Sequence, residues 1–174
     1  GIIVAIPKKK KDDQLYRILN KNNYKVFRGD EHNVLKRYYS CAKKFDLKNI
    51  LRITGDNPLV DPKLVDKIVT IYKKNNFDYV SNVEKRTFPK GLDVEVFSFK
   101  ALEIAYHKAN NKFDREHVTP YLKRKKFKRY NYSNKEDFSK IRVTLDTIDD
   151  FFLIKKIYSK IGNKFIHFKD IVRL

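Results

Sequence analysis

The feature that most constrains the fold of this chain is a regular alternation between short β-branched runs and longer segments of helical period. Strands are predicted at 2–6, 24–28 and 49–54, each followed by an amphipathic helix, at 14–19, 34–42 and 64–72. Parallel strands need such crossover helices, so the alternation favours a largely parallel α/β sheet.

The second half of the chain changes this rhythm. Strands are predicted at 79–83 and 92–99, and only a Lys/Arg/Pro/Gly loop separates them, which predicts a mixed sheet. Further elements are predicted as a helix over 101–109, strands at 127–132 and 141–145, and a helix over 149–161 capped by Gly162. No repeat or linker interrupts the pattern, so one domain over 1–174 is predicted.

The charge of the chain is strongly positive: 40 Lys+Arg against 21 Asp+Glu give +19. Dense basic runs occur only at Lys8–Lys11 and Lys123–Arg129, and the remaining lysines lie where helices are expected to meet solvent. This scatter argues against a nucleic-acid partner, although an anionic small molecule fits it easily.

Cysteine usage and hydropathy indicate a cytoplasmic protein that is not inserted in a membrane. The single Cys41 excludes an intramolecular disulfide and a thiolate metal cluster, and its helical surroundings favour a packing role. No run approaches the ~20 apolar residues that span a bilayer.

Acidic residues follow two predicted strands. Asp56 stands after the strand at 49–54, and Asp146 after the strand at 141–145. Ligands of open α/β sheets bind outside the carboxyl ends of strands, and two carboxylates there suit Mg²⁺ bound to substrate phosphates. Alternatively, Asp56 only caps the turn before Pro58.

The acids after Asp146 have a structural explanation. Thr147 or Asp149 is suited to cap the following helix, and Asp150 to lie in its first turn. Asp146 itself precedes the cap, so it stays a candidate for chemistry.

Two further segments carry candidate polar residues. Strand alternation puts Asp93 and Glu95 on the face opposite the valines, where they either face water or line a cleft. His117 is a base, a ligand or a structural histidine, and no second His at helical spacing supports zinc. No Ser-centred elbow, phosphate-loop signature or dinucleotide fingerprint is present.

Four ordered motifs carry a resemblance to a known family. They are Thr54-Gly55-Asp56-Asn57-Pro58-Leu59-Val60-Asp61-Pro62, Phe88-Pro89-Lys90-Gly91-Leu92-Asp93-Val94-Glu95-Val96-Phe97, Arg115-Glu116-His117-Val118-Thr119-Pro120-Tyr121 and Leu145-Asp146-Thr147. With them the chain resembles the spore-coat polysaccharide cytidylyltransferase family, relatives of the CMP-sialic acid and CMP-KDO synthetases. Val26-Phe27-Arg28-Gly29 and Tyr79-Val80-Ser81-Asn82 also fit.

The resemblance implies a Rossmann-like α/β nucleotidyltransferase that transfers CMP from CTP to a sugar, an acid sugar above all, and releases pyrophosphate. It implies surface polysaccharide or glycan biosynthesis and a homodimer. By motif position, Asp56 and Asp146 are the catalytic residues that hold Mg²⁺. Substrate-binding residues are expected to be Arg28, Arg52, Asn82, Pro89, Gly91, Asp93, Glu95, Glu116, His117 and Thr119.

The chain departs from the family at its start. Gly1 to Pro7 matches the second strand of the family, so the first βα unit and its phosphate-binding loop are expected to be missing. A chain without that unit is expected to fold poorly or to bind CTP weakly, because Ile2 to Ile6 becomes an exposed strand edge. The alternative is a non-catalytic sugar-binding or scaffold fragment.

Overall fold

The computed structural model describes residues 1–162 and 165–173 and has an α/β fold. Its strands are β1 (Ile3–Pro7), β2 (Lys25–Gly29), β3 (Asn49–Arg52), β4 (Tyr79–Ser81), β5 (Glu95–Ser98) and β6 (Arg129–Asn131). Its helices are α1 (Asp13–Lys21), α2 (Val34–Lys44), α3 (Pro62–Asn75), α4 (Phe99–Lys108), α5 (Lys112–His117), α6 (Ile148–Ile161) and α7 (Phe168–Val172). None of these described helices is long and apolar enough to cross a membrane.

The chain divides into two compact units, each made of two separate segments. One comprises Gly1–Ile50 with Ser98–Phe127, and the other Leu51–Phe97 with Lys128–Leu174. The first half of the sequence therefore contributes to both units. The prediction of a single domain stays a prediction.

The first unit contains a parallel strand pair, as the alternation predicted. β1 and β2 pair from Ile3↔Lys25 to Pro7↔Gly29, with α1 as the crossover helix between them. Helix α2 packs on α4, where the ring of Tyr39 stacks on Tyr106 at a centroid distance of 4.2 Å. Cys41, also on α2, is buried, and burial raises the pKa of its thiol to about 11, in keeping with the predicted packing role.

The second unit contains a mixed sheet, also as predicted. The strand order is β3-β5-β4-β6. Asn49 and Ile50 of β3 and Ser98 of β5 are assigned to the first unit. β4 is antiparallel to β5 and parallel to β6. Its core is an apolar cluster centred on Ile68, Val80, Leu92 and Val94, all buried.

Two predicted strands differ most from the structure. The strand predicted at 141–145 is wrong: among the described residues this segment forms a single bridge, Lys90↔Arg142. The strand predicted at 92–99 begins only at Glu95 and gives way to α4 at Phe99, because the Ser98 hydroxyl accepts the Ala101 N–H and caps that helix. Alternating apolar residues do not distinguish an extended loop from a paired strand.

The ends of α6 are fixed by local chemistry that the sequence predicted. The Thr147 hydroxyl accepts the Asp150 N–H, and the Asp150 carboxylate accepts the Thr147 N–H, which together form a capping box. At the other end Gly162 has φ +74° and donates its N–H to Tyr158. This capped helix begins directly after Asp146.

Helix α3 is joined to α7 through Asp61, the N-cap of α3. One carboxylate oxygen accepts the Lys63 N–H and contacts His167 Nδ1 at 2.9 Å, and the other accepts the Phe168 N–H at 2.9 Å. Burial by itself raises the pKa of Asp61, but these partners outweigh it and hold the pKa below its ordinary value.

We therefore expect stability that depends on ionised Asp61. A depressed folded pKa contributes stability above the unfolded pKa of about 3.9, and this stability is lost as the pH falls through the folded pKa. Asp61→Asn should cost about 1–2 kcal/mol at neutral pH and flatten the loss of stability below pH about 4. Urea unfolding midpoints measured between pH 2 and 6 test this, and an unchanged acid dependence would contradict it.

Candidate functional site

The two loops that carry Asp56 and Asp146 lie side by side in the second unit. The Leu145 N–H donates to the Asp56 carbonyl oxygen at 2.8 Å. Asp56 is partly exposed, and its carboxylate makes no hydrogen bond or ion pair with any residue that the structure describes. The backbone therefore places the loops of the two predicted carboxylates, Asp56 and Asp146, side by side at one edge of the second unit.

Arg142 organises the Asp146 side of this edge. Its guanidinium binds the Asp150 carboxylate with both nitrogens, at 2.5 and 2.9 Å, and binds Asp146 at 2.8 Å. The Asp146 N–H also donates to Asp150, at 2.9 Å. The Arg142 hydrogen bonds, together with these backbone donors, hold the pKa of Asp150 well below its usual range. Asp150 therefore positions Asp146. The sequence signal for Asp150 was its place among acidic residues in the first turn of a predicted helix.

The donor chemistry at this edge fits Mg²⁺. Carboxylate oxygens are hard ligands, and Mg²⁺ is commonly held by one or two carboxylates together with substrate phosphates and water. Within 1–162 and 165–173 there is no group of three or more His, Cys, Asp or Glu residues that could hold a metal ion. Asp56 and Asp146 are the carboxylates predicted to hold the ion, and the metal site stays a prediction.

Glu95 is buried rather than open to water or to a cleft, which corrects the expectation drawn from strand alternation. Only 3% of the residue is exposed. Its carboxylate pairs with Arg52 and accepts the Tyr79 hydroxyl at 2.7 Å. Burial, then the charge of Glu95, raises the pKa of Tyr79. A buried carboxylate is tolerated here because a guanidinium and a hydroxyl compensate it.

Asp93 lies in the loop before β5 and is half-buried. The Arg86 guanidinium forms a bidentate ion pair with the Asp93 carboxylate, with N–O distances of 2.5 and 2.9 Å. The hydrogen bond to Asp93 is the main reason that the pKa of Arg86 is raised. Arg86 was not predicted as a site residue, although its place in the basic loop was a signal.

Asn82 acts as a brace for the same loop. Its side chain is fully buried, donates to the Leu92 carbonyl at 2.8 Å and accepts the Val94 N–H at 2.9 Å. Pro89 and Gly91 are also buried. A substrate role for Asn82, Pro89 and Gly91 stays a prediction. The hydrogen bonds of Asn82 hold the backbone of the loop in place.

The predicted residues of the third motif lie in the first unit and have unequal exposure. Glu116 and His117 are exposed at the end of α5, whereas Thr119 is 3% exposed. Between them Val118 has φ +70°, and the Thr119 N–H donates to the His117 carbonyl at 2.8 Å, which forms a γ-turn. A β-branched residue in this conformation is strained, and such strain concentrates at functional sites.

Arg28 also belongs to the first unit, at the end of β2. Its guanidinium pairs with Asp13 at 2.7 Å, donates to the Lys9 carbonyl at 2.7 Å and lies over the Tyr16 ring. These contacts tie β2 to α1 and to the loop after β1. A substrate role for Arg28 stays a prediction.

A pocket of about 410 Å³ opens at the carboxyl ends of β1 and β2. Lys8, Lys9, Lys36 and Arg37 contribute its cations, and Asp30 and Glu31 its acids. Hydrogen bonds from Lys11 and Lys9 lower the pKa of Glu31 to about 2, so that carboxylate stays ionised. The surplus of cations at strand ends suits an anionic ligand. The run at Lys8–Lys11 was the sequence signal for this pocket.

Comparison with known proteins places this fold in the nucleotidyltransferase class. The chain superimposes on a cytidylyltransferase structure from Leptospira borgpetersenii with a TM-score of 0.92 and 34% identity, covering 98% of this chain and 74% of that one. The family model described as Cytidylyltransferase matches residues 2–171. The chain belongs to the cytidylyltransferase family, as the four motifs predicted.

Two curated proteins are similar in sequence. An uncharacterised protein of Methanocaldococcus jannaschii is 43% identical over 168 residues, or 94% of this chain and 66% of that protein. The spore coat polysaccharide biosynthesis protein SpsF of Bacillus subtilis is 31% identical over 169 residues, or 94% of this chain and 69% of that protein. The chain thus spans about two thirds of the length of the curated relatives it matches.

More distant structures share the fold alone. A molybdopterin-guanine dinucleotide biosynthesis protein A from Archaeoglobus fulgidus has a TM-score of 0.59 at 15% identity, covering 89% of this chain and 77% of that one. A 4-diphosphocytidyl-2C-methyl-D-erythritol synthase from Anaerococcus prevotii has a TM-score of 0.60 at 16% identity, covering 91% and 81%. The predicted fold class is confirmed.

Proposed function

We propose that this protein transfers CMP from CTP to a sugar, with release of pyrophosphate, in the synthesis of a surface polysaccharide or glycan. The observation that carries the proposal is the hydrogen bond between Leu145 and Asp56, which sets the loops of Asp56 and Asp146 beside each other. Family membership supports it, as does the similarity to the Bacillus protein SpsF, a spore coat polysaccharide biosynthesis protein.

In the proposed reaction a hydroxyl oxygen of the sugar attacks the α-phosphorus of CTP and loses its proton to solvent, and the bond from that phosphorus to the pyrophosphate oxygen breaks, so that pyrophosphate leaves. Asp56 and Asp146 would hold Mg²⁺, which neutralises phosphate charge when bound. Arg142 and Asp150 keep the Asp146 backbone and side chain in place. Such a transfer depends on positioning and charge neutralisation, so a protein nucleophile is unnecessary.

The sugar is proposed to contact Asp93, which is the partly exposed acid of the 88–97 motif. Arg86 orients its carboxylate through two hydrogen bonds. The same segment is held by the Arg52–Glu95 ion pair and by the hydrogen bonds of Asn82 to Leu92 and Val94. The pocket of the first unit is proposed to take an anionic group of a substrate.

Titration calorimetry of the chain with CTP, UTP and ATP tests the nucleotide part of this proposal. In Mg²⁺ we expect CTP to bind at least about tenfold more tightly than UTP or ATP, which corresponds to about 1.4 kcal/mol. Equal affinity for all three nucleotides would contradict a cytidylyl substrate. The same titration with Mg²⁺ removed by EDTA shows whether binding requires the metal.

A further inference from the structure

The segment that leads to Asp146 has an apolar side and a polar side. Val143 is buried in the core of the second unit, and Ile141 and Leu145 pack against that core. Side chains alternate between the two sides of an extended backbone, and the backbone around position 142 is extended because it bridges to Lys90. The side opposite the core therefore carries Arg142, Thr144 and Asp146.

The Arg142 guanidinium has two hydrogen-bonding edges that are used unequally. The edge formed by Nη1 and Nη2 binds both oxygens of the Asp150 carboxylate, at 2.5 and 2.9 Å. Among the described residues, the edge formed by Nε and Nη2 contacts Asp146 alone, through one hydrogen bond of 2.8 Å from Nη2. A guanidinium edge with two parallel N–H donors fits a phosphate group, so this edge has unused capacity for one.

The bond to Asp146 is the weaker of the two attachments of Arg142. The side chains of Arg142 and Asp146 are 41% and 52% exposed, and exposed ion pairs contribute little stability. The Asp150 side chain is only 9% exposed, and its carboxylate also accepts the N–H groups of Asp146 and Thr147, which fix it in place. Arg142 can therefore leave Asp146 and stay anchored on Asp150.

Thr144 shows that the polar side of this segment is not saturated with hydrogen bonds. The residue is 5% exposed, and its hydroxyl oxygen is buried without a hydrogen bond to any part of the chain that the structure describes. A buried hydroxyl without a partner is costly, and such groups commonly mark a functional or ion-binding role. Thr144 lies between Arg142 and Asp146, so it points to the same place as the unused Arg142 edge.

We propose that Arg142 binds the pyrophosphate part of CTP with its Nε–Nη2 edge, once the Asp146 carboxylate binds Mg²⁺ instead of Arg142. The proposal rests on the proposed nucleotidyl transfer and adds a catalytic residue to it, because Arg142 touches the leaving group. Negative charge accumulates on pyrophosphate as the phosphorus–oxygen bond breaks, and a guanidinium held by Asp150 neutralises that charge. The Asp146 backbone stays in place, since Asp150 holds it through the Asp146 N–H.

Phosphorus NMR titration of inorganic pyrophosphate with the chain, in Mg²⁺, tests the proposal. Arg142→Gln stays polar but loses the charge and the paired donors, so the affinity for pyrophosphate should fall about 10- to 100-fold. Arg142→Lys keeps the charge alone and should recover only part of this loss. CMP lacks pyrophosphate, so the wild type and Arg142→Gln should bind it equally.

Three results of this titration would overturn the proposal. They are a wild-type chain that does not bind pyrophosphate, an Arg142→Gln variant that binds it as the wild type does, and a loss of CMP affinity as large as the loss of pyrophosphate affinity. Circular dichroism verifies the fold of each variant. If Arg142→Gln does not fold, the partial loss in Arg142→Lys carries the test.

Metal affinity separates this role from a merely structural one. Without nucleotide, Arg142 competes with the metal for Asp146, so Arg142→Gln should bind Mn²⁺, a spectroscopic substitute for Mg²⁺, up to about fivefold more tightly. A residue that only supported Asp146 would have the opposite effect. Water-proton relaxation measures bound Mn²⁺, and an affinity that is unchanged or weaker in Arg142→Gln would overturn the exchange of partners.

Arg124→Gln is the matched control. Arg124 binds Asp114 of the first unit at 2.7 Å, and this pair also joins a half-exposed guanidinium, at 46%, to a buried carboxylate, at 5%. The control should leave the affinities for pyrophosphate and Mn²⁺ unchanged. Equal binding of CTP, UTP and ATP would contradict cytidylyl transfer without touching the role of Arg142, because pyrophosphate tests that role without a base or a sugar.

Discussion

Asp56→Asn is expected to remove the Mg²⁺ dependence of CTP binding and to lower the affinity for CTP in Mg²⁺ about 10- to 100-fold. The substitution removes one of the two carboxylates proposed to hold the metal, and the amide oxygen that replaces it carries no charge. The Asp56 carbonyl still accepts the Leu145 N–H, so the two loops should stay together. Calorimetry with and without Mg²⁺ measures the effect.

The matched control is Asp66→Asn, which removes an exposed carboxylate from α3 in the same unit. It should leave CTP affinity and its metal dependence unchanged. Asp146→Asn should behave like Asp56→Asn, because the same metal is proposed to need both carboxylates. If Asp56→Asn binds CTP as the wild type does in Mg²⁺, Asp56 holds no metal that contributes to nucleotide binding.

Gly91→Ala is expected to destabilise the protein by at least about 3 kcal/mol. Gly91 has φ +107°, and an added Cβ would lie 2.7 Å from the Val143 carbonyl carbon and 2.8 Å from the Thr144 nitrogen. These are backbone atoms of the 141–145 segment. Two hydrogen bonds hold that segment to Lys90, whose N–H donates to the Ile141 carbonyl and whose carbonyl accepts the Val143 N–H. The segment cannot yield without losing those bonds, and it leads directly to Asp146.

Gly55→Ala provides the comparison for Gly91→Ala. No heavy atom lies within 4 Å of a Cβ built at Gly55, and its φ lies outside the left-handed region. Its effect should stay within about 1 kcal/mol. Urea unfolding midpoints of the two variants measure the difference, and equal midpoints would show that the 141–145 segment has more freedom than its contacts indicate.

The sequence predicted best those features that depend on neighbouring residues. The Thr147 and Gly162 caps of α6 and Pro62 in the first turn of α3 follow from side chains within a few positions of each helix end. The loops that bear Asp56 and Asp146 do lie side by side, but the rule of sheet topology was applied to a strand at 141–145 that the structure replaces with a single bridge. That rule places loops, but it does not say which side chains pair across them.

The features that the sequence could not predict depend on partners far along the chain. Glu95 is buried because Arg52 and Tyr79 pair with it, 43 and 16 residues away. Strand alternation alone predicts an exposed face for such an acid. Asn82 was assigned to substrate by the family resemblance, which gave no sign that its amide also braces Leu92 and Val94 across a sequence gap of 10 to 12 residues.

The most direct test of cytidylyl transfer is to identify its product. The chain, and a form extended at its N-terminus by the first βα unit of a cytidylyltransferase relative, should be incubated with CTP, Mg²⁺ and a panel of neutral and acid sugars, and the mixtures analysed by mass spectrometry and a pyrophosphate assay. We expect a CMP-sugar from at least one acid sugar, with an equal amount of pyrophosphate, from CTP in preference to UTP or ATP. Binding of CTP without a CMP-sugar from any member of the panel would contradict it and favour a non-catalytic sugar-binding or scaffold role.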